Sequence, residues 1–289
     1  MNPLFYKRLM KEATFIEKIH NRWSQVGMIC VGLDPDFSQI PDILKAENSS
    51  IEEVLFAFNR EIIDATADLV CAYKPNVAFY EAHGEAGARA LARTVAHIKD
   101  AYAEIPIILD AKRADIGNTN LYYVKAVFDE LGADAITIHP YLGKEAVQPF
   151  LDRKDKGVIV LVKTSNSGGE EFQNLKVTDS GEPLYRVVAR TIASSWNANE
   201  NCSVVVGATY PEELAEVRSV IGDMPILIPG VGAQGGDIQK TVMAGKDSKG
   251  FGMMISASRS IIFASSGADF AQASRKATES LGRDISASN

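Results

Sequence analysis

Two carboxylates and two basic side chains fall within six consecutive residues, Asp110-Ala-Lys-Arg-Ala-Asp115. The apolar run Ile105–Leu109 leads into them and has the composition of a buried strand. Successive side chains of a strand point to opposite faces, so Asp110 and Lys112 are expected to project the same way. Burying an aspartate with a lysine is expensive, because both lose hydration. An ion pair that only closes the end of a sheet is the alternative interpretation. We interpret the block as part of an active site.

A glycine-rich stretch over residues 229–237, Pro-Gly-Val-Gly-Ala-Gln-Gly-Gly-Asp, offers a second kind of chemistry. Glycines let backbone N–H groups approach an anion, and the start of a following helix favours negative charge. Further along the chain, Arg259 can donate two parallel hydrogen bonds to a phosphate. The glycines alone are equally compatible with a plain turn, but together with Arg259 they predict a phosphate site.

Three further polar residues follow apolar runs in the same way: Asp34, Lys74 and Ser165. Asp34 is compatible with a turn or helix cap, and also with a contact to a sugar hydroxyl. Lys74 by itself is compatible with a surface lysine that buries only its stem. Beside the charges at 110–115, it becomes a further member of a charged array.

Eight short apolar runs must position these side chains. Most are continuous rather than alternating, as expected for strands buried on both faces of a parallel sheet. The predicted strands are Met28–Leu33, Leu69–Pro75, Ile105–Asp110, Ala135–His139, Gly157–Lys163, Cys202–Gly207, Pro225–Pro229 and Gly252–Ser256. The predicted helices between them are Ser50–Ala67, Glu85–Tyr102, Thr119–Leu131, Pro183–Asn197, Pro211–Val220 and Ile238–Ala244.

This alternation predicts an α/β protein, a single (β/α)8 TIM barrel over residues 1–289. An additional N-terminal helix within residues 1–25 is expected to cover the bottom of the barrel, and the polar residues 282–289 are expected to fray. A doubly wound open sheet is the alternative, but no G-x-G-x-x-G motif follows the first strand. In a barrel, the polar residues described above would gather at the C-terminal strand ends, where barrel enzymes hold their active sites.

Composition narrows the class of partner. The chain has 30 basic and 37 acidic residues, a net charge of −7 and no lysine-rich block, so nucleic acid is not expected as a partner. No apolar run is long enough to cross a bilayer. The three cysteines, Cys30, Cys71 and Cys202, lack metal-ligand spacing. We therefore expect a cytoplasmic protein with reduced cysteines, no metal site and no membrane association.

The D-x-K-x-x-D block at 110–115, with Lys74 and the glycine-rich stretch, closely resembles the orotidine 5′-phosphate decarboxylase family. The similarity covers essentially the whole predicted barrel. Tyr73-Lys-Pro-Asn76 and Thr164-Ser-Asn166 are similar to the longer bacterial branch of that family. The resemblance implies that a homodimer converts orotidine 5′-phosphate to UMP in pyrimidine biosynthesis without a cofactor.

The resemblance also implies a role for each candidate residue. It implies an alternating Lys74–Asp110–Lys112–Asp115 network, in which Lys112 protonates C6 of the pyrimidine as carbon dioxide leaves. Asp110 would lie near the substrate carboxylate and hold Lys112 in place, while Asp115 and Thr119 would enter the neighbouring subunit's site. The other implied contacts are Asp34 and Lys74 with the ribose, Ser165 with the pyrimidine, and Gln234, Gly235 and Arg259 with the phosphate. Ser258 precedes this arginine where the family often has glycine.

Two other functions remain open. A keto-sugar phosphate decarboxylase or aldolase of the same barrel superfamily is similar in the D-x-K-x-x-D block, but such enzymes use magnesium with an acidic ligand near the end of the second strand. This chain has Lys74 in that region. The second alternative is a barrel that binds a nucleotide monophosphate without catalysis, against which the intact Asp110, Lys112 and Asp115 argue.

Overall fold

The computed structural model describes residues 13–231 and 237–288. Its strands are β1 (Ile29–Leu33), β2 (Ala72–Pro75), β3 (Ile108–Arg113), β4 (Ala135–Ile138), β5 (Gly157–Lys163), β6 (Cys202–Val206), β7 (Ile226–Pro229) and β8 (Met253–Ala257). They form one parallel sheet in the order β2-β1-β8-β7-β6-β5-β4-β3. The two outer strands of this order meet through parallel bridges from Tyr73 to Ile107 and from Asn76 to Asp110. The predicted TIM barrel is therefore confirmed.

The strands are buried almost throughout, as continuous apolar runs predict. Every residue of β1, β2, β4, β6 and β8 is buried. The third strand begins at Ile108 rather than at the predicted Ile105, because Pro106 has no N–H to donate to a neighbouring strand. This strand loses its burial only at its last two residues, at the end of the barrel where the polar side chains gather.

Helix α1 (Phe15–Val26) covers the N-terminal ends of the strands. Its start is fixed by a capping box between Thr14 and Glu17. Lys18 Nζ bonds Asp134 at 2.8 Å just before β4, and Arg22 donates to the carbonyl of Val70 just before β2. The additional N-terminal helix of the predicted fold is thus present from Phe15 onward, whereas residues 1–12 lie outside the described range.

Most of the remaining helices lie between consecutive strands in the sequence and cover the outside of the barrel. They are α2 (Asp42–Glu47), α3 (Ile51–Thr66), α4 (Ala78–Glu81), α5 (Gly84–Ala101), α6 (Gly117–Val124), α7 (Gly143–Leu151), α8 (Glu170–Gln173), α9 (Leu184–Thr191), α10 (Pro211–Ile221), α11 (Ile238–Gly245), α12 (Arg259–Ile262) and α13 (Phe270–Ala287). A π-helical turn follows α6 over Lys125–Glu130, and another follows α9 over Ile192–Trp196. The six helices predicted between the strands are all present, and α7 between β4 and β5 joins them.

The C-terminal segment differs from the prediction. Residues 282–287 do not fray but continue α13, and Ile285 is buried at 4% exposure. Arg275 of the same helix donates two hydrogen bonds to Asp68, at 2.7 and 2.9 Å. The apolar face of α13 packs on the core, which holds in place a segment that looks loose by composition alone.

Two further sequence expectations concern membrane-spanning helices and the state of the cysteines. Among the helices of the described ranges, none combines the length and apolar character needed to cross a membrane. Cys30, Cys71 and Cys202 are buried and form no disulfide. Burial raises the pKa of the Cys30 and Cys202 thiols to about 12, so they stay protonated at neutral pH and serve as core side chains.

Candidate active site

A cavity of about 390 Å³ opens at the C-terminal ends of the strands. Each of the eight strands, or the loop directly after it, contributes to its lining. Six candidate residues from distant parts of the sequence line this one cavity: Asp34, Lys74, Asp110, Lys112, Ser165 and Arg259. The barrel therefore gathers most of the residues that sequence reasoning selected.

Three of them form a charged triad, Lys74–Asp110–Lys112. Asp110 Oδ2 accepts a hydrogen bond from Lys74 Nζ at 3.0 Å, and its Oδ1 accepts one from Lys112 Nζ at 2.6 Å. Lys74 and Asp110 are only 5% and 7% exposed, whereas about half of the Lys112 side chain is exposed. A buried ion pair thus holds a second ammonium group at the surface of the cavity.

Opposite charges keep the buried pair ionised. Burial alone would raise the pKa of Asp110, but the charges of Lys74 and Lys112 outweigh it and hold that pKa well below its ordinary value. Burial alone would lower the pKa of Lys74, but the carboxylates of Asp34 and Asp110 outweigh it and raise that pKa. Both groups are therefore charged at neutral pH.

The backbone at Lys112 departs from the simple strand alternation that the sequence analysis assumed. Lys112 has φ of +47°, and the pairing of β3 with β4 shifts register between Leu109 and Arg113. Thr137 of β4 holds this irregular segment, since its Oγ1 accepts from Lys112 N at 3.0 Å and donates to Asp110 Oδ1 at 2.8 Å. Lys112 reaches Asp110 as predicted, but through a left-handed backbone position and not through regular alternation.

Asp34 presents an unsatisfied acceptor at the cavity. Its Oδ1 is buried and has no hydrogen-bond partner among the described residues. The preceding residue, Leu33, is fixed because its carbonyl accepts a hydrogen bond from the Tyr80 hydroxyl at 3.0 Å. That hydroxyl in turn accepts from Asn59 Nδ2 at 2.9 Å. A buried acceptor without a partner suits a ligand that donates, such as a sugar hydroxyl.

The residues of the predicted anion site that the structure describes line the cavity from the loops after β7 and β8. Gly230, with φ of +95°, and Val231 line it from the loop after β7, and Arg259 lines it from the first residue of α12. The Oγ of Ser258 is buried without a partner among the described residues. Gln234 and Gly235 lie outside the described residues.

The loop after β5 also contributes to the lining of the cavity. Thr164, Ser165 and Asn166 line the cavity together. Gly207, just after β6, lets this loop approach closely, since a Cβ at position 207 would lie 2.7 Å from both Cα and Cβ of Ser165. Ser165 therefore has a defined place against the barrel.

Asp115 and Thr119 do not line the cavity within this chain. Asp115 Oδ1 accepts from the backbone N of Ile116 at 2.7 Å, and its own backbone N donates to Asn120 Oδ1 at 3.0 Å. Within the chain, the alternating network that the resemblance implies runs from Lys74 to Lys112 and does not include Asp115.

Apolar side chains on the segment that carries these two residues and on the neighbouring segment form an apolar patch. Its side chains are strongly exposed: Ile116, Leu121, Tyr122, Tyr141 and Leu142, with Tyr141 at 94%. The two segments of the patch are joined by a hydrogen bond from Asn120 Nδ2 to the Ala146 carbonyl. Exposed apolar side chains on neighbouring segments are typical of protein–protein contacts.

Thr137 is the site residue that sequence reasoning missed. It was hidden in the short apolar strand Ala135–Ile138, where a single threonine is an unremarkable strand former. Its inward position on a barrel strand was the available signal. Among the residues that the structure describes, no group of three or more His, Cys, Asp or Glu side chains is arranged to hold a metal ion.

The chain as a whole is similar to known proteins. Residues 27–275 match the model of the "Orotidine 5'-phosphate decarboxylase / HUMPS family". The chain is 50% identical over 273 residues to the orotidine 5′-phosphate decarboxylase of Cellvibrio japonicus, an alignment that covers 94% of this chain and 98% of the relative.

Solved structures agree with the sequence match. The UMP synthase of Leishmania donovani superposes with a TM-score of 0.85 at 36% identity, over 96% of this chain and 56% of the longer UMP synthase. The orotidine monophosphate decarboxylase of the same organism superposes with a TM-score of 0.80 at 34% identity, over 94% of this chain and 98% of that one. The chain is therefore an enzyme that belongs to the orotidine 5′-phosphate decarboxylase / HUMPS family.

Proposed function

We propose that this enzyme decarboxylates orotidine 5′-phosphate to UMP, a step of pyrimidine nucleotide synthesis. The curated relatives that match nearly the whole chain carry the name of this activity. The observation that carries the proposal is the Lys74–Asp110–Lys112 triad, which shares one cavity with Arg259. The cavity therefore offers an anion-binding group and, apart from it, an ammonium held by a buried carboxylate.

Lys112 is the proton donor in this proposal. The bond between C6 and the carboxylate carbon breaks, carbon dioxide leaves, and the electron pair stays on C6. No adjacent carbonyl delocalises that charge, so the ammonium stabilises negative charge that develops only in the transition state. A proton then passes from Lys112 Nζ to C6, which gives UMP and a neutral amine that solvent recharges.

Asp110 and Lys74 keep the donor in place. Asp110 holds Lys112 Nζ at 2.6 Å through one oxygen, and Lys74 neutralises the other oxygen at 3.0 Å. A donor that these two hydrogen bonds hold in place needs little reorganisation at the moment of reaction. Lys74 and Asp34 also face the cavity and would contact the ribose hydroxyls.

Arg259 binds the phosphate in this proposal, with the 229–237 loop that includes Gln234 and Gly235. The phosphate does not react, so its binding energy can orient the pyrimidine over Lys112. Ser165, on the loop after β5, would contact the base.

The reaction as proposed needs neither metal nor coenzyme, because the ammonium itself supplies charge and proton. The decisive assay follows the absorbance change of orotidine 5′-phosphate, with and without EDTA. Turnover that chelation leaves unchanged supports the proposal. Loss of turnover on chelation favours the magnesium-dependent keto-sugar phosphate enzymes, and UMP binding without any turnover favours a non-catalytic nucleotide-binding barrel.

We further propose a homodimer in which Asp115 and Thr119 reach the partner's cavity. The apolar patch around them supports this, because a second copy would cover it. Mixing inactive Asp115→Ala and Lys112→Ala proteins tests it, since each heterodimer then contains one complete site. Random exchange should restore about a quarter of wild-type activity. No recovery after confirmed subunit exchange would remove Asp115 from a shared site.

A further inference from the structure

Lys163, the last residue of β5, is a buried basic side chain that the triad does not use. Its side chain is fully buried at 0% exposure, yet it does not line the cavity. It forms no ion pair with any carboxylate in the described part of the chain. A buried ammonium loses its hydration, so such a lysine is retained only where other groups stabilise it.

An amide oxygen and two aromatic rings take the place of a carboxylate. Lys163 Nζ donates to Asn174 Oδ1 at 2.6 Å. The same nitrogen lies 4.4 Å from the ring centroid of Tyr210 and 5.6 Å from that of Tyr185. Ring faces attract a desolvated cation. The hydrogen bond is directional, and its acceptor belongs to the segment that follows β5.

That segment, residues 164–176, begins with the cavity-lining loop and folds back on it. Gln173 Oε1 accepts from Thr164 N at 2.9 Å, and Gln173 Nε2 donates to Thr164 Oγ1 at 2.8 Å. The neighbouring Asn174 bonds Lys163. Gln173 and Asn174 thus hold the far end of the segment against Thr164 and Lys163. Ser165 and Asn166 lie within the turn that these contacts close.

We propose that Lys163 is a positioning residue that fixes Ser165 and its neighbours where they meet the base of the substrate. The inference rests on the proposed function, since it assigns the base to this side of the cavity. Through Asn174, Lys163 limits how far the loop can move away from the barrel. Loss of the anchor should therefore weaken contacts to the base and spare contacts to the phosphate.

A matched pair of variants at Asn174 tests the anchor, because this residue is exposed and its replacement leaves no cavity in the core. Asn174→Leu removes the acceptor oxygen, whereas Asn174→Asp keeps an acceptor oxygen on a side chain of the same shape. Lys163→Met removes the donor from the other side, and Lys176→Met makes the same chemical change at an exposed lysine of the same segment. If Lys163→Met does not fold, the Asn174 pair decides.

Calorimetry with two ligands separates loop positioning from general damage. UMP carries the base, and ribose 5-phosphate lacks it. We expect Asn174→Leu and Lys163→Met to weaken UMP binding by about tenfold and to leave ribose 5-phosphate binding within about twofold of wild type. Asn174→Asp and Lys176→Met should bind both ligands as wild type does.

Several outcomes would overturn the inference: equal weakening of both ligands, unchanged UMP binding in Asn174→Leu, or an equal loss in Asn174→Asp. Hydrogen exchange gives a readout that needs no ligand. Amides of residues 164–166 should exchange faster in Asn174→Leu than in Asn174→Asp, and equal rates would refute the anchor. Wild-type protein that fails to bind UMP refutes the proposed function instead, because the exchange comparison still tests the anchor.

Discussion

Replacing Asp110 with asparagine should destabilise the fold and stop the reaction for one physical reason. The Asp110 carboxylate accepts three hydrogen bonds, from Lys74 Nζ at 3.0 Å, Lys112 Nζ at 2.6 Å and Thr137 Oγ1 at 2.8 Å. Lys74 is buried, so Asp110→Asn leaves its ammonium without the carboxylate that it bonds, and only the charge of Asp34 remains near it. Removing one partner of a buried ion pair costs about 3–5 kcal/mol of unfolding free energy.

A second substitution separates stability from catalysis. Lys74→Met combined with Asp110→Asn removes the ammonium that has lost its bonded carboxylate and fills its place with an apolar side chain of similar length. Since neutral replacements of buried ion pairs are often tolerated, the double variant should regain all but about 1–2 kcal/mol of wild-type stability. Turnover should not return, because Lys112 still lacks its carboxylate.

The dependence on pH follows from the direction of each shift. The folded pKa of Asp110 is lowered, so its stabilisation is present above the ordinary aspartate pKa of about 4 and disappears as the pH falls through the folded value. The folded pKa of Lys74 is raised, so its stabilisation is complete below about pH 10 and disappears as the pH rises through its folded value. The difference in unfolding free energy between wild type and Asp110→Asn should be constant from about pH 5 to 9 and should decrease in acid.

Urea unfolding of the three proteins, with the absorbance assay for orotidine 5′-phosphate, measures both effects. An Asp110→Asn variant within about 1 kcal/mol of wild type would refute the view that Asp110 compensates a buried charge. So would a double variant no more stable than the single one. Recovered turnover in the double variant would refute the link between Asp110 and Lys112.

The other predictions concern single groups. Lys112→Ala should lower kcat by at least about a thousandfold with a nearly unchanged urea midpoint, and near-wild-type kcat would reject Lys112 as the proton donor. Arg259→Ala should chiefly raise KM, and an unchanged KM for the phosphorylated substrate would place the phosphate elsewhere. Tyr80→Phe leaves the Leu33 carbonyl and Asn59 without their hydroxyl partner and should cost about 1–3 kcal/mol in urea unfolding. A cost below about 0.5 kcal/mol would show that these groups find other partners.

Much of this arrangement could be predicted from the sequence, because buried strands and strand-end polarity leave direct patterns. The fifth strand was predicted with its observed bounds, Gly157–Lys163. Helix α7 was not predicted, and Pro149 inside it is a residue that normally interrupts helices. The order of α13 depends on a tertiary partner, as Ile285 needs the core to bury it, and no local pattern encodes that.

At the site, charge type was easier to predict than geometry. The Asp110 and Lys112 contact was expected from strand alternation, but the register shift and the role of Thr137 depend on how β3 meets β4. The role of Asp115 could not be worked out from one chain, because in the proposed dimer its partners would lie in the other copy. Lys163 was noted only as the end of a strand, since nothing local shows that Asn174 folds back to it.

The left-handed backbone at Lys112 has a consequence for efforts to make this protein more robust. A side chain at φ of +47° carries a conformational penalty that glycine avoids. Glycine at position 112 would relieve it by about 1 kcal/mol relative to alanine, yet would remove the amine that we propose as the proton donor. A screen that selects for thermal stability alone would therefore favour glycine at position 112 and, under the proposed mechanism, an inactive enzyme. At this one position, durability and turnover make opposite demands on the same residue.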